Sequence, residues 1–177
     1  MFENVRGMLF RNKEYLNEII RTLAGLGYKI DIKILKAVDY NVPQNRERLI
    51  VVGHIGSYEF PSPQRDKFTA GDAVSDIAYS ILDTDKFLTP NQDVYIAKYE
   101  KASKCINPRD LHFSRPARTV TCRNLAGATG DMHRIKMPDG RRKRVNVREA
   151  ARLQSFPDWF NFKGSESSQF YQIGNAV

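Results

Sequence analysis

Residues 14–38 read EYLNEIIRTLAGLGYKIDIKILKAV, and the spacing of their apolar residues changes period part-way. Leu16, Ile19, Ile20, Leu23 and Leu26 recur at steps of three and four, the stripe of a helix. Gly27 is placed to close that helix in the left-handed conformation. From Tyr28 the pattern alternates. Ile30, Ile32 and Ile34 share one face and Asp31 and Lys33 the other, which predicts a strand. A polar connection with Pro43 follows, and then RLIVVGHI (48–55), a β-branched run that suits a buried strand. A helix delivered directly into strands specifies an α/β arrangement. Residues 1–55 therefore read as loop, helix, strand, strand, one end of an α/β sheet.

The texture changes at Ser57. SYEFPSPQRDKFTAGDAV has two prolines and no period, as expected of a crossing between domains. A short helix is predicted over 72–82 and a strand over ARTVTCR (117–123); the rest of 83–133 reads as irregular, with a Gly-containing AGATG at 126–130. RIKMPDGRRKRVNVR (134–148) carries two basic arms about a PDG turn, a hairpin suited to phosphate contacts. In NVREAARLQSFP, Asn146 and Glu149 have capping-box spacing, Ala150, Ala151 and Leu153 give a small apolar face, and Pro157 is expected to end the helix. In the closing YQIGNAV, Gly174 and Asn175 read as turn or N-cap residues.

Composition narrows the function. Lys and Arg total 28 against 20 Asp and Glu, a formal charge of +8, which favours a polyanionic partner without requiring one. No apolar run approaches the roughly 20 residues of a membrane span. No basic stretch followed by an apolar core marks a signal peptide. Two cysteines, Cys105 and Cys122, make neither a disulfide framework nor a zinc spacing, so no metal is expected and a reducing cytoplasm is the simple setting.

Four segments, taken in order, carry a resemblance. They are Glu3-Asn4-Val5; Gln44, Arg46 and Arg48 after Val42-Pro43; REAARLQSFPD from Arg148 to Asp158; and QIGNAV from Gln172 to Val177. Together they closely resemble the late motifs of the cytosine-C5 DNA methyltransferase family, and the resemblance spans the whole chain. It implies an α/β fold: the terminal part of a Rossmann-like methyltransferase sheet (1–56), a small, irregular mixed α+β target-recognition domain (57–145), and a hinge helix with a segment returning to the catalytic domain (146–177). Glu3 would then stand at the end of a central strand.

The resemblance also implies chemistry. Cytosine C5 is a poor nucleophile until a cysteine thiolate adds to C6; C5 then attacks the methyl of S-adenosylmethionine. The addition pushes negative charge toward N3 and O2 of the base, which hydrogen-bond donors can stabilise as it develops. Glu3 matches the family's N3 partner, beside Asn4, and would have to be protonated or share a proton, a state that burial favours. Arg48 is expected at O2, and Arg46 is expected to brace the cysteine loop. Asn175 and Ala176 fall where the family lines its cofactor pocket. Thr119-Val120 stands where the family has a Thr-Leu pair that supports the recognition loops. Arg115, Arg118, Arg123 and Arg134 are candidates for phosphate or base-edge contact. The partner implied is double-stranded DNA with a flipped cytosine, and a restriction endonuclease of the same system is a family-level expectation.

The early family motifs do not occur. No Gly-rich cofactor loop follows a first strand, and neither cysteine stands in Pro-Cys-Gln: Cys105 follows Lys104 and Cys122 follows Thr121. The missing N-terminal half is expected in the same polypeptide or in another. The alternatives are one subunit of a split methyltransferase and a non-catalytic DNA-binding remnant.

Overall fold

A computed structural model describes residues 1–102, 104, 109–126 and 130–176. Cys105, Pro108, the middle of AGATG and Val177 lie outside the described residues. The chain forms two compact units: Met1–Asn41 with Asn45–Lys67, and Val42–Gln44 with Phe68–Val177. The division falls at residue 67, later than the change of texture at Ser57. Residues 57–67 stay with the first unit because they are tied to it. Asp39 accepts from the Gln64 amide at 2.8 Å, and Tyr40 Oη donates to the Pro61 carbonyl at 3.1 Å.

The first unit is a three-stranded antiparallel sheet with one helix on it. Strand β1 (Phe2–Val5), helix α1 (Lys13–Gly25), strand β2 (Lys29–Lys36), a two-residue strand β3 (Gln44–Asn45) and strand β4 (Glu47–His54) follow in chain order. The sheet order is β1-β4-β2. The β-branched run thus takes the centre, where Leu49 and Val51 are wholly buried. With Met8 and Leu16 they form a core against which Phe2, Ile19, Ile20, Ile30 and Ile34 pack. Each large apolar side chain so enclosed contributes about 1.5–3 kcal/mol. Gly27, at φ +90°, ends the helix as predicted. Leu26 falls beyond the last helical residue and is 70% exposed, and Ile32, on an edge strand, is 41% exposed. Phe2–Val5 is a strand and not a loop. It lies at the edge of this sheet and not at its centre, paired to β4 alone among the described residues.

The second unit holds α2 (Ala70–Val74), α3 (Pro90–Ala102), β5 (Ala117–Arg118), α4 (Cys122–Ala126), β6 (Arg134–Lys136), β7 (Arg142–Arg144), α5 (Val147–Leu153) and α6 (Glu166–Asn175). Its core gathers Val74, Val120, Leu125, Ile135, Leu153, Phe170 and Ile173. Three expectations change here. The predicted strand over 117–123 is only two residues long. Thr121 and Asn124 then exchange side chain–backbone bonds at 2.8 and 3.3 Å that open α4 instead. Helix α3 lies inside the stretch read as irregular. Pro90 suits a first helical position, and the helix buries only Ile96, so its stripe is faint. Helix α6 runs through Gly174, so Gly174 and Asn175 are helical and not turn residues. The segments read as 57–145 and 146–177 share this one unit and one core beyond residue 67.

The predicted capping box of α5 is present, with Asn146 and Glu149 exchanging bonds at 2.8 and 2.9 Å. The helix stops before Pro157. Ser155 turns left-handed, at φ 61°, and the Phe156 amide returns to the Ala151 carbonyl at 3.0 Å. The PDG hairpin forms as β6 and β7, paired antiparallel. No helix among the described residues is long and apolar enough to cross a membrane.

Candidate functional site

Strand alternation selects which motif residues can meet. In the β1–β4 register Glu3 lies opposite Ile50 and Val5 opposite Arg48, so Glu3 and Arg48 are diagonal neighbours on one face. That face is turned away from α1, whose side carries Phe2, Leu49 and Val51. Arg48 Nε meets Glu3 Oε1 at 2.7 Å, and Arg48 Nη1 donates to the Glu47 carbonyl at 2.8 Å. Both side chains remain partly open, 19% and 26% exposed. Full enclosure of Glu3 does not occur within this chain. Asn4 falls on the opposite face by parity, with its Oδ1 accepting from the Val5 amide at 2.8 Å. The structure therefore does not bring Asn4 to Glu3 and Arg48.

Arg46 precedes β4 by one residue and is nearly buried, at 7% exposure. Burial pulls its pKa down; the Arg48 guanidinium adds to that and Glu3 opposes it. Two guanidiniums thus share the field of one carboxylate, leaving a surplus of positive charge and donors. Glu47, between them in sequence, points its carboxylate elsewhere, pairing with Arg6 at 2.9 Å and Lys36 at 3.4 Å. The charged QNRER loop is therefore not self-neutralised through Glu47.

The expected DNA contacts separate into two groups. Arg115 and Arg123 are exposed. Arg118 is held by Asp131, through Nη1 at 3.1 Å to the carboxylate and Nη2 at 3.0 Å to the carbonyl, and Arg109 pairs with the same carboxylate. Arg134 is wholly buried, bonded to Asp110 at 2.8 Å and Glu100 at 3.2 Å, so its guanidinium has no surface to offer a phosphate. Val120 is wholly buried as well, while the Thr119 carbonyl accepts from Asn124 at 2.9 Å.

The basic hairpin as a whole is corrected in the same way. Lys143 is enclosed with Asp85 and Glu149, at 3.2 and 2.9 Å. Arg142 joins Asp110 and Asp93. Arg144 donates to the Leu125 carbonyl at 2.8 Å, and Arg148 to the Pro157 and Phe160 carbonyls. Arg141 pairs with Asp139 and lies over Phe87. Most of this charge closes the fold rather than facing a polyanion.

Asn175 is exposed at the end of α6; Ala176, half-buried, gives its carbonyl to Gln154 at 3.3 Å. They offer a surface and not an enclosed cradle, so within this chain they do not fit an adenosyl cofactor by themselves. Gly174 approaches backbone closely, as expected of it, but the backbone is that of α4. A Cβ there would lie 2.1 Å from the Cys122 nitrogen. No cluster of His, Cys, Asp and Glu among the described residues could hold a metal ion.

Comparison with known proteins agrees with the motif order. The chain is 56% identical over 179 residues to the type II methyltransferase M.AplI of Arthrospira platensis, covering 100% of this chain and 52% of that protein. It is 32% identical to M.BsuRI of Bacillus subtilis, over 99% of this chain and 45% of the relative. The chain therefore spans about half the length of the curated relatives it matches. Its fold is similar to that of an Entamoeba histolytica methyltransferase, with a TM-score of 0.70 at 16% identity over 99% of this chain and 57% of the other. The profile of the C-5 cytosine-specific DNA methylases matches residues 1–177. With that match over its full length, the chain belongs to the C-5 cytosine-specific DNA methylase family.

Proposed function

We propose that this chain supplies part of the base pocket, and the target-recognition region, of an enzyme that transfers methyl from S-adenosylmethionine to C5 of a flipped cytosine in duplex DNA. The observation that carries the proposal is the group Glu3, Arg46 and Arg48. One carboxyl and two guanidiniums lie on or beside one sheet face, with more positive charge than their own pairing consumes. A pyrimidine attacked at C6 accumulates negative charge along its N3–C2–O2 edge, and donors preset in a half-buried site stabilise that charge at no cost in reorganisation. In this reading Glu3 meets N3, Arg48 meets O2, and Arg46, the most buried, braces the loop that carries the nucleophile. Exposed Arg115 and Arg123 contact phosphates. The Asp131-held Arg118 and Arg109 stand at the recognition surface, and buried Arg134 and Val120 support it from within. A type II restriction–modification system in the cytoplasm, with its cognate endonuclease, is the setting that the named relatives suggest.

The nucleophile and the cofactor loop come from residues outside those described. The methyl donor, when bound, supplies the electrophilic methyl; the residues of this chain orient the base and balance its charge. The test is methyl transfer from tritiated S-adenosylmethionine into duplex DNA. The chain alone is expected to give only background. Mixed with the part of M.AplI that it does not span, it is expected to transfer, and Arg48→Ala is expected to abolish that signal. A mixture that stays silent although both polypeptides fold and bind DNA would favour the non-catalytic, DNA-binding reading.

A further inference from the structure

The proposed chemistry uses Arg46 and Arg48 of the QNRER segment but gives Gln44 nothing to do. Gln44 is nevertheless wholly buried, and its amide is saturated. Its Oε1 accepts from the Val120 amide at 3.0 Å. Its Nε2 donates to the Leu153 carbonyl at 3.0 Å and to Gln154 Oε1. Gln154 in turn donates to the carbonyls of Ile173 at 2.7 Å and Ala176 at 3.3 Å. Beside it, the Pro43 carbonyl accepts from the Ala117 amide at 2.8 Å.

These partners are backbone groups that secondary structure leaves over. Leu153 and Ile173 lie in the last turns of α5 and α6, where carbonyls have no helical donor, and Val120 follows a strand that has already ended. Satisfying an orphan N–H and an orphan C=O from one buried point needs a neutral group that both donates and accepts, which an amide is. The Thr119-Val120 pair, the end of the REAARLQ helix and the end of the QIGNA helix thus converge on two glutamines. The first of these lies two residues before Arg46.

We propose that Gln44 is a positioning residue for Arg46 and Arg48. Its amide fixes the backbone at residue 44 within the core of the second unit, so the chain enters the arginine segment from a fixed point. The importance of this for catalysis rests on the base-pocket reading above; the positioning itself does not.

The test uses the chain as it stands. Arginine Nε–Hε signals are recorded by 15N NMR, together with backbone amide exchange, for the parent, for Gln44→Met and for Gln154→Met. The first variant keeps length and removes every bond. The second leaves Gln44 its bonds to Val120 and Leu153, and serves if the first does not fold. In Gln44→Met, Val120 exchange is expected to rise by about tenfold, the weight of one buried hydrogen bond. The Arg46 and Arg48 signals are expected to shift or broaden, while amides of α1 stay unchanged; Gln154→Met is expected to move the same signals less. Loss of Val120 protection with both arginine signals unmoved, in whichever variant folds, would reduce Gln44 to a structural filler and overturn the proposal. The base-pocket reading is scored separately, by whether a cytosine-containing duplex moves the same two signals in the parent chain.

Discussion

Acid should destabilise the second unit through a single side chain, His133. Its ring is 1% exposed, among Arg118, Asp131 and Arg134. Burial lowers its pKa from 6.5 to about 4; Arg118 adds to the shift, while the Thr119 backbone and Asp131 oppose it. The folded state therefore holds a neutral imidazole at pH values where the unfolded chain binds a proton. Unfolding then takes up protons between pH 6.5 and 4, and stability falls as pH falls through that window. With 1.36 kcal/mol per pKa unit, the full shift corresponds to about 3 kcal/mol, and lowering the pH from 7 to 4.5 removes roughly 2 kcal/mol. Urea unfolding of the chain at half-unit pH steps measures this directly. His133→Gln, which cannot titrate, is expected to start less stable at pH 7 and to flatten the slope between pH 6.5 and 4.5. Equal slopes in parent and variant would refute the assignment, because the lost stability would then belong to other groups.

Three further expectations concern residues whose burial the structure assigns. Lys143→Met removes the only cation facing wholly buried Asp85 and Glu149 and should cost about 3–5 kcal/mol by urea unfolding. Glu149 already has its pKa raised by burial. The variant should therefore regain stability as pH falls toward 5, opposite in sign to the His133 effect. Gly174→Ala places a Cβ 2.1 Å from the Cys122 nitrogen and 2.5 Å from the Thr121 carbonyl carbon, backbone atoms that cannot move aside cheaply. A lower thermal midpoint is expected, with an overpacking cost of at least about 1–3 kcal/mol against a helix-propensity gain of about 1 kcal/mol. In fluorescence anisotropy on duplex DNA, Arg123→Gln should weaken binding uniformly across sequences and reduce the salt slope by about one. Arg134→Met, buried with Asp110 and Glu100, should instead lower the folding midpoint.

The first unit was legible because its signals are local. The stripe of α1, the left-handed Gly27 and the alternation of β2 each lie within a few residues, and each forms as read. The capping box of α5 is equally local and equally present. What the sequence hid depends on partners far along the chain. Helix α3 packs through Ile96 alone, so no stripe announces it. Gly174 reads as a breaker until α4 supplies the neighbour that leaves no room for a Cβ. The whole 1–177 motif order was visible, whereas the face on which each motif residue stands was not: Asn4 and Glu3 are adjacent letters on opposite sides of a strand.

The basic hairpin shows the same limit in charge. Counting Lys and Arg over 134–148 measures how much positive charge the segment carries, and says nothing of where the counter-charges fall. They come from Asp85, Asp93, Glu100 and Asp110, all outside it. A small core with two-residue and three-residue strands leaves many backbone carbonyls unpaired. Arginine answers that need well, since its planar fork can serve two acceptors at once, as Arg148 does for Pro157 and Phe160. The contrast with Arg46 and Arg48 is then informative. In the hairpin each buried cation meets at least one carboxylate of its own, and Lys143 meets two. On the sheet face two guanidiniums share Glu3, and Arg46 has its pKa pulled down by burial and by its neighbour. A fold that neutralises its buried cations elsewhere and leaves a surplus here keeps donors at hand for an incoming negative edge, which is the property a base pocket requires.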